Sequence, residues 1–317
     1  MVRVVVDEAG MLGTRRLAAI AALTAEAKAK LVLVGDSRQL AEIDAGGLFA
    51  GLATRLPTIE LTENRRQRDA DEQAIASALR IRATGTAMDT MQRTGRITTA
   101  PTADAIRDVI VSDWFERGAA RTDTLMIAAR RATVGDLNER AQALLRSSDQ
   151  LGPEVATFDG TTFAVGDRVV FHQNDYRLDL LNGERGTVLG AGRHHLAVEI
   201  DDGRRLNIAE SYIEAGNLTL GYAVTVHKAQ GTTCNHLLVL GDDTFTVETA
   251  YTALTRGRDR NQLYLAQPDL DDEHHGRRVS IDLIDAFTDA ISRSSAKVAA
   301  IDELHRDVVV PDFDIDF

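Results

Sequence analysis

Two adjacent carboxylates, Asp7 and Glu8, close an apolar, β-branched run from Val2 to Val6. At the carboxyl end of a buried strand, one acid can hold Mg²⁺ on nucleotide phosphates while its neighbour polarises an attacking water. The same pair also serves as an ordinary helix cap, so a second feature is needed. The string Gly35-Asp36-Ser37-Arg38-Gln39-Leu40 supplies one, because an amide beyond the next strand can hydrogen-bond a γ-phosphate and change partners when it leaves. Three more strings follow: Leu61-Thr62-Glu63-Asn64-Arg65-Arg66-Gln67, Thr225-Val226-His227-Lys228-Ala229-Gln230-Gly231 and Tyr251-Thr252-Ala253-Leu254-Thr255-Arg256-Gly257-Arg258. Arginines projecting onto a γ-phosphate stabilise charge in phosphoryl transfer. Any one string is weak, but five in this order and spacing carry weight.

The elements that must position these residues read as α/β. Val2–Val6 and Leu31–Val34 are expected as buried parallel strands, joined by a helix over Thr14–Lys30. Acids at the carboxyl ends of such strands lie where an open α/β sheet does its chemistry. Asp69 with Glu72 predicts a capped helix to about Ala83, and further helices are expected over Thr102–Arg117 and Thr133–Arg146 around a strand at Thr124–Ala129. From about Pro153 the runs become short and alternating, with Asn182-Gly183 and Asp202-Gly203 as hairpin signals, so Glu154–Asn217 reads as a small antiparallel barrel. The α/β texture resumes at Leu218 with a helix closed by Gly231, a strand over Leu237–Leu240, a helix from Thr246 closed by Gly257, and a strand over Gln262–Ala266. One helix is expected in the tail, Ile281–Ala300.

Composition bounds the class. A 317-residue chain, 44% hydrophobic and 5% aromatic, suits about two domains of α/β type. Its single cysteine, Cys234, excludes an internal disulfide and points to a reducing, cytoplasmic setting. No run of about 18 apolar residues is present, so no membrane partner is expected. A net charge of −12 argues against nucleic acid at first sight, but Pro268–Phe317 carries 13 acids against 5 bases. That acidic tail is read as solvated rather than as a docking segment. Arg55–Arg96 holds 8 arginines against 6 acids, a stretch that could face a phosphate backbone or simply be a solvated helical surface. His194-His195 and His274-His275 lack ligand company for a metal, Cys234 reads as a small core residue, and Trp114 and Phe115 read as core rather than as base-stacking groups.

The five strings resemble those of superfamily 1 DNA helicases, within them the RecD-like branch that forms the helicase half of conjugative relaxases of the TrwC or MobF type. The resemblance runs from Val2 to about Gln267 and is most specific over Tyr222–Arg260. It implies RecA-like, P-loop NTPase type parallel-sheet domains closing on ATP and Mg²⁺, and movement along single-stranded DNA from 5′ to 3′. It divides the chain into a partial first RecA-like domain (1–58), a second (59–153 and 218–268), the inserted barrel (154–217) and the tail (269–317). By the same resemblance Asp7 is the Mg²⁺ ligand, Glu8 the general base, Gln39 the γ-phosphate sensor, and Arg66 and Arg256 the arginines that reach across. Thr225, His227 and Lys228 meet the DNA backbone, and Gln230 with Gly231 couples that contact to the nucleotide.

One departure matters. The family cradles phosphates with a glycine-rich loop ending in Gly-Lys, whereas the four lysines here, Lys28, Lys30, Lys228 and Lys297, follow Ala27, Ala29, His227 and Ala296. The sequence therefore reads as the carboxyl-terminal part of such a helicase, truncated ahead of the first strand, unable to hydrolyse ATP at a helicase rate alone, with an apolar strand edge open to aggregation or pairing. The alternatives are a non-catalytic, single-stranded-DNA-binding or regulatory remnant, a split helicase completed by a chain supplying the phosphate loop, and a broken gene product.

Overall fold

Runs of β-branched residues flanked by Ala- and Leu-rich helices build two parallel units with an antiparallel β segment between the strands of the second. The computed structural model describes residues 2–40, 47–118, 123–158, 160–266 and 282–296. Strands β1 (Arg3–Val6) and β2 (Lys30–Leu33) pair in parallel, Val4 opposite Leu31 and Val6 opposite Leu33. The crossover helix α1 (Thr14–Glu26) buries Leu17 and stops short of Lys30, because Lys28 turns the chain with a left-handed φ of 50°. Among the described residues β1 pairs with β2 alone, and Val5 on it is 63% exposed.

Helices α2 (Leu48–Arg55), α3 (Ala70–Arg80) and α4 (Thr84–Arg93) follow. The Asp69 side chain caps α3 by accepting from the backbone N–H groups of Asp71 and Glu72. Strand β3 (Ile97–Ala100) leads to α5 (Ala103–Glu116), whose cap is Thr102 Oγ1 accepting from Ala105 N at 3.1 Å. Strand β4 (Thr124–Ala128) and α6 (Arg131–Ser147) complete the first half of the larger unit.

The next segment is antiparallel: β5 (Glu154–Phe158) pairs with β6 (Thr161–Ala164) as a hairpin. Strands β7 (Arg168–Phe171), β8 (Arg185–Gly192), β9 (His195–Ile200) and β10 (Arg205–Ala209), the short turn α7 (Glu210–Tyr212) and β11 (Leu218–Leu220) follow. They form one five-stranded sheet in the order β10-β9-β8-β7-β11. No ladder joins its two ends among the described residues, so the expected barrel is here an open sheet beside a hairpin. Asp202-Gly203 does make the β9–β10 turn, with Gly203 at φ 92°. Asn182-Gly183 instead lies near the end of a loop over 172–184, because β7 ends at Phe171 and β8 begins at Arg185.

The expected helix from Leu218 to Gly231 does not form. Leu218–Leu220 becomes the edge strand β11 on β7, and after Gly221 and Tyr222 the chain enters β12 (Ala223–Thr225). Gly221 permits this switch: a Cβ there would sit 2.8 Å from the Val169 backbone carbon. Strands β13 (Cys234–Leu240) and β14 (Gly257–Ala266), with α8 (Val247–Ala253) between them and α9 (Leu283–Ser292) beyond, close the unit. Gly257 opens β14 rather than closing a helix, since its N–H is taken by Asn261 Oδ1 at 2.9 Å.

The order β12-β4-β13-β14-β3 is wholly parallel. Strand alternation sends Met126, Leu238 and Tyr264 toward α5 and α6, and Leu125, Ile127, Leu237 and Leu263 toward α3, α4, α8 and α9. Both faces are thus covered, which explains the continuous apolar strands. The first core runs on into the antiparallel segment through Phe163, Val169 and Phe171. Trp114 is buried in it and Phe115 packs against it, as the sequence led us to expect. No helix among the described residues is long and apolar enough to cross a membrane.

Candidate nucleotide and nucleic-acid site

Asp7 and Glu8 stand at the carboxyl end of β1, where the chain turns sharply. Glu8 adopts φ 50° and ψ 39°, its N–H donates to Asp7 Oδ1 at 2.9 Å, and a 3₁₀ turn over Ala9–Met11 follows. A non-glycine residue held in this left-handed region costs of order 1 kcal/mol. The turn leans on the loop after β2: Ala9 N donates to Val34 O at 2.8 Å. Gly35 eases this approach, since a Cβ would come 3.1 Å from Gly10 N.

That loop carries Gln39 and is tied to α8. Asp36 Oδ2 accepts from the Tyr251 hydroxyl at 2.8 Å and lies 3.5 Å from Gln39 Nε2, while Leu40 N donates to Thr252 Oγ1 at 2.9 Å. Gln39 Oε1 is buried without a hydrogen-bond partner among the described residues. Burial first, then the Asp36 charge and hydrogen bond, push the Tyr251 phenol up to about 12, so it stays a donor to Asp36.

Arg256 is 1% exposed. Its Nε donates to Thr252 O at 2.8 Å, so one residue, Thr252, fixes both the Gln39 loop and the Arg256 side chain. Burial pulls the guanidinium down to about 10, with the like charge of Arg66 acting in the same direction; Glu8, Tyr251 and Asp36 act against it. Arg256 therefore lies near enough to feel the charges of Arg66, Glu8 and Asp36. Arg66 is fixed in turn by donating from NH1 to Thr255 O at 3.0 Å. Gln67, to which the sequence assigned no role, is buried and spans the same turn, with Nε2 2.9 Å from Thr255 O and 3.1 Å from Gly257 O. Beside it lies a cleft of about 470 Å³ lined by Arg65, Arg66, Arg68, Arg258 and Thr233.

The remaining predicted residues gather elsewhere. Thr225 ends β12, and Thr225–Gly231 forms a tight turn in which Ala229 N donates to Thr225 O and Lys228 N to Thr225 Oγ1. Gly231, at φ 78°, takes the left-handed position. His227, Lys228 and Gln230 line a second cleft of about 360 Å³ with Met11, Leu181, Asn182, Gly183, Glu184 and Thr232. Burial lowers both the His227 imidazole and, with Arg131 behind it, the Lys228 ammonium. Lys228 Nζ donates to Asn182 Oδ1 at 2.7 Å. Met11 belongs to the turn after Glu8, its N–H donating to Glu8 O, so this cleft adjoins the carboxylate turn.

The Gln39 loop and Arg256 thus meet at Thr252, Arg66 is held by the nearby Thr255 carbonyl, Glu8 lies within reach of the Arg256 charge, and His227, Lys228 and Gln230 line a second cleft. Of the histidine pairs, His194 Nδ1 lies 3.1 Å from Glu210 Oε2 at the surface, and His274-His275 lies outside the described residues. Cys234 is buried. The partners that sequence reasoning missed, Gln67, Thr252 and Asn182, act through backbone or amide contacts between distant segments, and no local pattern announces those.

An AAA domain profile matches residues 2–102. A probable conjugal transfer protein TraA of Sinorhizobium fredii is 35% identical over 82% of this chain and 24% of its own length. The ATP-dependent RecD2 DNA helicase of Deinococcus radiodurans is 34% identical over 81% of this chain and 35% of its own. The chain therefore spans about a quarter to a third of the length of these curated relatives. Among solved structures, Pif1 from Bacteroides bound to single-stranded DNA superposes with a TM-score of 0.59 at 17% identity, covering 96% of this chain and 75% of that one, a likeness of fold. With its five strings in order on a parallel α/β, RecA-like scaffold, the chain belongs to the RecD-like superfamily 1 DNA helicases, in the line of conjugative relaxases.

Proposed function

We propose that this chain is the motor portion of an ATP-dependent DNA helicase of conjugative transfer, working on single-stranded DNA in the cytoplasm. The observation that carries the reading is the double role of Thr252, which joins the Gln39 loop to Arg256 from segments 212 residues apart. In this reading β1 and β2 belong to a first RecA-like domain (1–58), the larger sheet is the second (59–153 and 218–268), the antiparallel segment (154–217) is inserted in it, and 269–317 is a tail.

The residues present fit the metal and γ-phosphate end of ATP. Two carboxylates at a strand end suit Mg²⁺, the Gln39 amide, whose Nε2 holds Asp36 only at 3.5 Å and whose Oε1 is unpartnered among the described residues, suits a donor to phosphate and an acceptor from water, and buried Arg256 with Arg66 suits transition-state charge. Bound there, ATP would supply the phosphoryl group whose loss drives domain movement. Asp7 would hold the metal, Glu8 would take the proton of the attacking water, and Gln230 with Gly231 would link this centre to the DNA contact at Thr225, His227 and Lys228. The cradle for the β-phosphate does not fit, because no lysine of the chain follows a glycine. ATP turnover by these 317 residues alone is therefore expected far below a helicase rate, while DNA binding is expected to persist.

The test is single-stranded-DNA-stimulated ATP hydrolysis beside Glu8→Gln and Arg256→Ala. No turnover, with DNA binding weakened by Lys228→Ala, supports the reading. Robust turnover indifferent to both substitutions sinks the site assignment, and robust turnover lost in both refutes the need for a Gly-Lys cradle. A second reading, a split site completed by a partner chain, is favoured by the exposed Val5 face of β1. Turnover appearing only on mixing with such a partner would select it. Salt-dependent DNA binding with no nucleotide effect, even then, would select a non-catalytic DNA-binding remnant.

A further inference from the structure

The loop between β7 and β8 runs over residues 172–184 and is held in one shape. Asp175 N donates to Leu180 O at 2.8 Å and Leu180 N returns the bond to Asp175 O at 2.9 Å, with the Leu180 side chain buried. The Tyr212 hydroxyl donates to Gln173 O at 2.6 Å, and Gly183 N to Phe171 O at 2.8 Å. From this braced loop Tyr176 projects 82% exposed, with Arg177 beside it. A large aromatic ring left in water on a pinned loop is a ready flat surface, because no ordering entropy remains to be lost when something stacks on it.

A chain of hydrogen bonds leads from that ring to the second cleft. Asn174 Nδ2 donates to the Tyr176 hydroxyl at 3.1 Å, Asn182 N to Asn174 Oδ1 at 2.6 Å, and Lys228 Nζ to Asn182 Oδ1 at 2.7 Å. Two cations stand close by: Lys228 and Arg131 both lie near enough to His172 to oppose its protonation. Two of the loop's three carboxylates hold hydrogen bonds and the third faces an arginine. Asp175 Oδ1 accepts from Arg177 N, Glu184 accepts from Arg204 NH2 and Leu181 N, and Asp179 lies 3.8 Å from Arg204. A cation next to an aromatic platform, with neighbouring acids already paired, is the combination that holds single strands by phosphate and base together.

We propose that this loop forms the second wall of a single-stranded-DNA groove, with Tyr176 stacking on a base and Asn182 parking Lys228 until a phosphate displaces it. The inference rests on the reading that Thr225–Lys228 meets DNA, and supplies the base contact that those residues lack. No base edge is read, so the grip is tolerant of sequence.

The test uses the whole chain and a labelled oligothymidylate followed by fluorescence anisotropy over a salt series, with a 2-aminopurine oligonucleotide reporting stacking. Tyr176→Ala is expected to weaken binding at least about fivefold, with an unchanged salt slope and with the stacking signal lost. Tyr176→Phe keeps both. Lys228→Ala weakens binding and lowers the salt slope by about one. Asn182→Ala binds as well as the parent or better, since Lys228 then has no partner to leave. An unchanged melting temperature confirms that Tyr176→Ala is folded. If Lys228→Ala weakens binding and Tyr176→Ala stays within twofold, the stacking inference is overturned while the DNA reading stands. If Asn182→Ala weakens binding, the parking role is overturned. If neither Lys228→Ala nor Tyr176→Ala changes binding, or the parent chain does not bind, the DNA reading falls and the inference with it.

Discussion

Glu72 offers a sharp test of how the arginine turn is held in place. It is 1% exposed and accepts from Arg96 Nε at 2.8 Å, Asn261 N at 2.9 Å and Asn261 Nδ2 at 2.6 Å. Asn261 in turn uses Oδ1 to accept from Gly257 N at 2.9 Å, next to Arg256. Substituting Glu72→Gln keeps the size, removes the charge and sets an amide N–H against other donors. Breaking one member of a buried pair costs about 3 to 5 kcal/mol. Arg96 retains Asp69 at 2.7 Å, a half-exposed partner, which places the expectation near the lower end, at about 3 kcal/mol. For a unit of this size that corresponds to a fall in Tm of roughly 6 to 12 °C. Thermal unfolding followed by circular dichroism, with urea titration as a check, measures it. The paired change Glu72→Leu with Arg96→Met should recover only part of the loss, because an apolar pair removes the unpaired charge but leaves Asn261 N and Nδ2 without their acceptor. A fall below about 1 °C for Glu72→Gln, or a double variant as stable as the parent, would refute the reasoning.

Three further outcomes follow from the same packing. Gly257→Ala is expected to destabilise by about 1 to 3 kcal/mol, because its Cβ would meet Arg260 O at 2.6 Å and Asn261 Oδ1 at 2.8 Å; an unchanged urea midpoint would contradict this. Burial pushes the Cys234 thiol up to about 11, so native protein at pH 8 should resist a thiol reagent that labels it fully in denaturant, and rapid native labelling would count against its burial. Burial, aided by the Lys228 and Arg131 charges, holds the His172 imidazole down at about 4 against an ordinary value of 6.5. Between those values the unfolded chain binds a proton that the folded chain refuses, so stability should fall as pH drops from about 6.5 toward 4. Equilibrium unfolding at several pH values in that window should show a shallower fall for His172→Gln, and identical slopes would dismiss the assignment.

Much of the scaffold was legible in the chain itself. Valine and leucine runs ending in Asp7-Glu8 and Gly35-Asp36 read as buried parallel strands; they do pair in parallel, but no residue of either is buried. Asp69 and Thr102 announced their helices through oxygen atoms that reach N–H groups two or three residues away. The strings around Glu8, Gln39, Lys228 and Arg256 could be found because their chemistry sits in residue types at fixed local spacing. What the sequence misjudged were segments whose partner is remote. Leu218–Leu220 has helical company in sequence, yet a ladder with Val169–Phe171 and a close approach at Gly221 make it a strand.

The division therefore falls along sequence distance. Residue type, periodicity and capping determine which stretches become strands and helices and which side chains can do phosphate chemistry, since those effects act within one or two turns of chain. Tertiary structure decided which of those side chains share a site. Thr252 joins the Gln39 loop to Arg256 across 212 residues, Asn182 holds Lys228 across 46, and Glu72 fixes the turn beside Arg256 through Asn261 across 189. Each depends on one or two donors and acceptors brought together only after the segments have packed, and a hydrogen bond between distant residues leaves no periodic trace in the sequence.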